Sequence, residues 1–220
     1  MINYCDENWF GRKNVFNKEN NDHTWTVIEE PVEFAKKKTW EHYVDLRRLE
    51  ITCGEAPYLV SRYDVSTGEL IVPTKHRIGQ LDRKLRIVNE NAADYDEWIK
   101  WAIRAFEATY GYEYQGDNLL IARINLLLTF VDYYTERWER APDEKLLQQM
   151  ADKITWNIWQ MDGLKDAVPL GKPYEKYHQI SLFDILPGNF KEKEELEAIP
   201  CKVFDWRKKT SLFFRELKGN

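Results

Sequence analysis

Cysteine is scarce in this chain: Cys5, Cys53 and Cys201 are odd in number and far apart, which excludes a disulfide framework and a paired-cysteine metal knuckle. The four histidines, His23, His42, His76 and His178, show no H-E-x-x-H spacing. Neither a G-x-S-x-G elbow nor a G-x-x-x-x-G-K-[ST] loop occurs, so acyl transfer and P-loop phosphoryl chemistry have no support. No metal site and no catalytic nucleophile is expected on these grounds. Long apolar runs are also missing. The longest, residues 119–131, is broken by Arg123 and Asn125, short of the ~20 residues of a membrane span. The opening Met-Ile-Asn-Tyr-Cys-Asp-Glu has no basic segment followed by an apolar one, so no secretory signal and a cytoplasmic location are expected. Surplus positive charge is absent: 32 Lys and Arg face 37 Asp and Glu, a formal balance of -5. Such a chain is not by itself a non-specific nucleic-acid binder, so any DNA contact is expected to be indirect, local or supplied by a partner.

What is present is a core. Hydrophobic residues make up 43% of the 220 and aromatics 14%, with 9 Trp and 12 Tyr, far from a disordered composition. The first forty residues lack a sustained period, and residues 39–48 read as a short amphipathic lead-in. Arg48-Leu49-Glu50-Ile51-Thr52 suits a strand, stopped by the small-residue turn Cys53-Gly54-Glu55-Ala56-Pro57. Residues 58–65 and 69–72 flank Ser66-Thr67-Gly68 as a hairpin. Helical spacing follows at 81–88 and 97–108, the second with Trp98, Trp101, Ala102, Ala105 and Phe106 on one stripe. Residues 109–114 are β-prone. A polar turn at 115–118 then leads into the clearest element, with Leu119, Ala122, Leu126, Phe130 and Tyr134 at steps of three and four to about residue 140. Pro142-Asp143-Glu144 opens another helix through Leu146, Leu147, Met150 and Ile154, which passes into a strand ending at Asp162-Gly163. Alternation of strands and helices predicts an α/β fold, a mostly parallel sheet with flanking helices. Residues 191–197 are a solvated charge run, and residues 201–206 suit one more strand.

In a sheet of this kind ligands bind outside the carboxyl ends of the strands. Three such ends occur: the turn after Glu50, the run Tyr110-Gly111-Tyr112-Glu113-Tyr114, and Gln160-Met161-Asp162-Gly163. A carboxylate at the second end suits a ribose, because one ionised acid accepts from two adjacent hydroxyls. A carboxylate at the third can accept from an exocyclic adenine amine. Together they describe a nucleoside pocket.

These residues resemble a family, the class I S-adenosylmethionine-dependent DNA adenine-N6 methyltransferases of restriction–modification systems, especially modification subunits found on mobile elements. Residues 49–59 look like a divergent first motif, L-D-P-x-C-G-x-G-x-F-L, with Glu50 as the leading acid, Cys53 and Gly54 matching, Tyr58 for the aromatic and Leu59 matching. Residues 110–126 are similar to the second motif, Y-G-I-E followed by A-R-x-N-L, and this match is the most specific of the three. Residues 160–164 look like the third. The resemblance implies a Rossmann-like fold with a β-hairpin insertion after the first motif. It implies S-adenosylmethionine as cofactor, held by Glu50, Cys53, Gly54, Glu55, Ala56, Glu113, Tyr114 and Asp162. In that scheme Glu113 holds the ribose, Tyr114 lies against the adenine and Asp162 meets the adenine amine.

The chain departs from the family twice. Glu55-Ala56-Pro57 puts a charge and side chains where the family has a second glycine and where methionine's carboxylate would approach. The fourth motif, [D/N/S]-P-P-[Y/F/W], which presents the flipped adenine to the methyl group, is missing, since no two prolines are adjacent. One expectation is therefore the cofactor-binding half of a split methyltransferase, not catalytic alone, with a separately encoded catalytic and DNA-recognition half as partner. The other is a phage- or plasmid-encoded methyltransferase-like protein that binds and inhibits a host defence nuclease, as in anti-restriction or anti-CRISPR. The expected organisation is a lead-in at 1–48, an α/β domain at 49–187 and a linker with a last strand at 188–220. An uncovered sheet edge would also favour a homodimer.

Overall fold

A computed structural model describes residues 1–22, 24–64, 66–169 and 198–218, in two compact units, Met1–Trp159 and Gln160–Asn220. The first unit contains helix α1 (Ile2–Phe10), an antiparallel ribbon of β1 (Asn17–Glu19) and β2 (Trp25–Val27), and the short helix α2 (Trp40–Val44). Strand β3 (Arg48–Glu50) follows, then α3 (Gln80–Asn91), α4 (Tyr95–Glu107), β4 (Thr109–Glu113), α5 (Gly116–Trp138), α6 (Glu144–Asn157) and β5 (Ile158–Gln160). These three strands form a sheet in the order β3-β4-β5. In its parallel pair β3–β4, Arg48 lies opposite Thr109 and Glu50 opposite Gly111. Two helices join each strand to the next, so the expected α/β alternation is present.

The helices begin where their sequences supply a cap. Asp94 accepts from the Glu97 amide at 2.9 Å, while the Glu97 carboxylate takes the Ala93 amide, a reciprocal start for α4. Asp143 does the same for α6 through the Leu146 amide at 2.8 Å, which leaves Pro142 just outside the helix rather than in its first turn. The stripe of α5 is buried as its spacing predicts, with Ala122, Leu126, Phe130 and Tyr134 inside. Trp98 and Phe106 of α4 pack against Phe130, and Trp98 donates its indole N–H to Asn89. Trp101 belongs to the rim instead, edge-on to Trp40.

Helix α3 differs most from its sequence reading. It extends beyond 81–88 and is buried on nearly every side, with Arg83, Lys84 and Arg86 inside along with Leu81, Leu85 and Ile87. Burying those cations requires partners, and each has them. Arg83 pairs with Asp6 and donates to Asn3 and Asn17, while Arg86 donates to Glu90 and to the carbonyls of Ile28 and Glu30. The first forty residues lack a sustained period in the sequence, yet they form α1 and the β1–β2 ribbon. Asp6 of α1 binds both Arg83 and the Tyr43 hydroxyl, so the order of that segment is set by tertiary pairing and not by local period.

The hairpin expected at 58–72 reduces to a single antiparallel bridge, Tyr63 to Leu70. Residues 62–77 are fastened to α5 by Arg62 and Arg77 on Asp132 and by Thr74 on Glu136.

The second unit holds an antiparallel pair, β6 (Lys202–Asp205) and β7 (Thr210–Phe213), then a short 3-10 turn, Phe214–Lys218. Strand β6 matches the expected last strand, whereas β7 was not anticipated. The charge run at 191–197 lies outside the described residues. Among the described residues no helix is long and apolar enough to cross a membrane, and no cluster of His, Cys, Asp or Glu could hold a metal ion.

Candidate functional site

The carboxyl ends of β3 and β4 meet because the backbone pairing runs past the end of β3: the Cys53 amide donates to the Tyr112 carbonyl at 2.8 Å. The turn that follows is tight, with positive φ at Thr52 (50°), Gly54 (54°) and Ala56 (66°). Glycine suits that region, but a threonine and an alanine are strained there and are held by their surroundings. Ala56 is fully buried, and its carbonyl accepts from the Leu59 and Val60 amides at 3.1 and 2.9 Å. From α5, the Asn125 side chain donates to the Glu55 carbonyl at 3.2 Å.

Glu113, the last residue of β4, ties this turn to its own strand. Its Oε2 accepts from the Gly54 amide at 2.8 Å and its Oε1 from the Gln115 amide at 3.1 Å. One buried carboxylate therefore fixes both the turn after β3 and the entry to α5. Gly111 makes the close approach of β3's turn to β4 feasible, since a Cβ there would lie 3.2 Å from the Cys53 sulfur and 3.3 Å from Ile158 Cδ1.

Glu50 ends β3 and is 9% exposed, with no hydrogen-bond partner for its Oε2. Burial pushes its carboxyl up from the ordinary 4.5 to about 7, against the pull of the Leu59 and Tyr58 amides. Burial, together with the charges of Glu50 and Glu113, pushes the Cys53 thiol up to about 12. Cys53 is thus a packing residue and not a nucleophile at neutral pH. The rim is aromatic and wet: Tyr58 and Tyr114 are about half exposed, and Glu55 faces solvent.

Seven of the eight expected cofactor residues therefore meet in the first unit, drawn from two stretches some sixty residues apart. Of these, Glu50, Cys53, Ala56 and Glu113 are buried, and Glu55 and Tyr114 are exposed. Asp162 belongs to the second unit and lies beyond the end of β5, not on the strand as its sequence suggests. It forms an isolated bridge with Ala167, and its carboxylate caps the Leu164 and Lys165 amides. Sequence reading missed Asn125 and Gly111, although both stand inside the second motif; only the structure shows that they serve the first turn. Compared with known protein families, with curated proteins and with solved structures, the chain matches none.

Proposed function

We propose that this chain is the cofactor-binding half of a split S-adenosylmethionine-dependent DNA adenine methyltransferase, with a Rossmann-like core. The observation that carries the reading is the bond from the Gly54 amide to Glu113, which brings the residues of the first and second motifs to one crest of parallel strands. The residues fit an adenosine with a cationic tail. Each Glu113 oxygen takes one amide and keeps a lone pair for a ribose hydroxyl, and the buried, unpartnered Glu50 Oε2 is an acceptor awaiting a donor. Tyr114 offers an exposed ring for the adenine. When bound, the cofactor would supply an electrophilic methyl group. No proline pair to present an adenine amine exists in these 220 residues, and under this reading another half supplies that part. The exposed apolar side chains Leu120 and Ile124 on α5 are consistent with such a partner or with a second copy.

A second reading has its own support. Both Glu113 oxygens are already engaged by the protein's own amides, and Glu55 adds a negative charge where the methionine carboxylate would come. These features suit a methyltransferase-like protein that binds a host defence nuclease and uses no cofactor.

Calorimetric titration with S-adenosylmethionine separates the two. Binding in the micromolar range is expected under the first reading, and Tyr114→Ala should weaken it about tenfold or more, the scale of one aromatic–base stack. Tyr114 is a rim residue, so this variant keeps its thermal stability. Glu113→Gln should weaken binding further. Absence of binding at millimolar ligand would end the methyltransferase reading and direct the search to nucleases.

A further inference from the structure

The second unit carries a local surplus of positive charge at exposed positions. Residues 201–218 hold six cationic side chains and two acids, hence +4, in a chain whose total is -5. Pairing of β6 with β7 sets where those charges go. Val203 and Asp205 are buried, so by period-2 alternation Lys202 and Phe204 share the outer face, with Phe213 and Ser211 opposite them. Lys202 sits over the Phe213 ring at 5.3 Å and Arg215 at 5.5 Å, both exposed. At the tip Arg207, Lys208 and Lys209 are all exposed. Both acids accept from backbone amides, Asp205 Oδ1 from Arg207 and Lys208 and the exposed Glu216 from Phe213. The result is a two-stranded ribbon with a cationic tip and a cationic, aromatic outer face.

We infer that this hairpin is a contact surface for the phosphate backbone of duplex DNA, entered tip first at the major groove. Three features select that occupant. A two-stranded ribbon fits the ~12 Å major groove of B-form DNA, whereas the major groove of A-form RNA is too narrow to admit side chains. Four paired residues span roughly 13 Å, enough for cations along the ribbon to reach phosphates on both walls. Six exposed cations within eighteen residues, of which Lys218 is paired with Asp166, match a polymer of regularly spaced negative charge, and contacts of that kind bind by releasing counterions. The hairpin lies outside the stretch that resembles the methyltransferases, so nothing in the resemblance assigns it. The inference also does not depend on the cofactor reading. It gives a place to the local DNA contact that a chain of net negative charge leaves open.

The test is fluorescence anisotropy of the full chain with a labelled 20-base-pair duplex between 50 and 200 mM salt. The expected result is micromolar binding at the low end, falling about a hundredfold across the range, the slope of about four phosphate contacts. Arg207→Gln, Lys208→Gln and Lys209→Asn together should cost at least tenfold at 50 mM and lower the salt slope by close to three units. Asparagine is chosen at 209 because that residue has φ of 52°. Thermal unfolding of the triple variant should match the parent, which excludes misfolding as the cause. A control that removes the same charge elsewhere, Lys13→Ser, Lys36→Ser and Lys37→Ser, should leave binding within about twofold.

Three results would overturn the inference: no binding at 50 mM salt, equal losses in the hairpin and control variants, or tighter binding to duplex RNA or to anionic lipid vesicles. Calorimetry with S-adenosylmethionine is read separately. DNA binding without cofactor binding would retain the hairpin and remove the methyltransferase half, and the converse would do the opposite.

Discussion

The two ends of the parallel pair β3–β4 are built by opposite rules. At the foot, where the strands begin, side chains give hydrogen bonds to the backbone: Lys84 donates to the carbonyls of Leu46 and Ala108 and to the Thr109 hydroxyl, and Asn157 to the carbonyls of Phe106 and Thr109. At the crest, where the strands end, the buried side chains receive them, while Asn125 from α5 donates: Glu113 takes two amides, and Glu50 Oε2 takes none. At the foot Lys84, Thr109 and Asn157 are buried, whereas the crest keeps a buried acceptor, three left-handed residues and an aromatic rim. In parallel α/β sheets strain and open hydrogen-bonding capacity are tolerated where ligands bind, and the contrast here follows that division.

The largest effect should come from the foot. Lys84→Met removes three donors and leaves the Leu46 carbonyl buried without them, a cost on the order of 3 kcal/mol. In a domain of this size that lowers the melting temperature by roughly 10 °C. Ligand affinity at the crest should not change. A shift below about 2 °C would mean that the cost of burying the ammonium cancels its bonds, and the foot would then be no more stabilising than the crest.

A smaller effect is expected between the two ends. Gly111→Ala drives a methyl group to 3.2 Å from the Cys53 sulfur and 3.3 Å from its Cβ. Overpacking of this kind costs about 1–3 kcal/mol, and it should push the first turn off β4. Cys53→Ala removes the sulfur, so the double variant should recover part of the loss, with a coupling above about 0.5 kcal/mol in a thermal double-mutant cycle. Additive losses would show that the turn does not rest on Gly111.

How much of this was legible follows from the same contrast. The α5 stripe, the start of α6 at Asp143-Glu144 and the strand of residues 109–113 were written in local period and capping chemistry, which a single sequence displays, while the Asp94 cap of α4 was not read. The crest was legible in part: Glu113 stood out as an acid at a strand end and the small-residue turn after Glu50 as a break, while Glu50, Cys53 and Gly54 were singled out by the resemblance to the methyltransferase first motif. The foot was not. The helical spacing at 81–88 does not show that Arg83, Lys84 and Arg86 are buried, and tertiary pairing with Asp6, Leu46 and Ile28 explains it. Asp162 failed for a related reason: an acid after an aromatic run reads as a strand end, but the chain turns at Gly163 and the carboxylate caps its own loop. The second strand of the terminal hairpin was hidden because Thr210-Ser211-Leu212-Phe213 is too short to show a period.

The finest difference between foot and crest is in their response to pH. Glu50 has an ordinary carboxyl value of 4.5 when unfolded and about 7 in the fold, so between those values the native state holds a proton that the unfolded chain has lost. Stability from this group is full below pH 4.5 and declines as pH rises through 7, the reverse of a salt-bridged acid. Glu50→Gln keeps the shape and removes the ionisation. It should flatten the stability profile across that window and raise the melting temperature at pH 8 by a few degrees, on the order of 1 kcal/mol. Buried Asp82, pushed up to about 6 by burial against the pull of Arg77, contributes a second decline at lower pH that this variant leaves in place. If S-adenosylmethionine binds through Glu50, its affinity should rise as pH passes 7 in the parent and become level in the variant. A profile identical in both proteins would show that the unpartnered oxygen is sterically buried but electrostatically idle, and the crest would then rest on Glu113 alone.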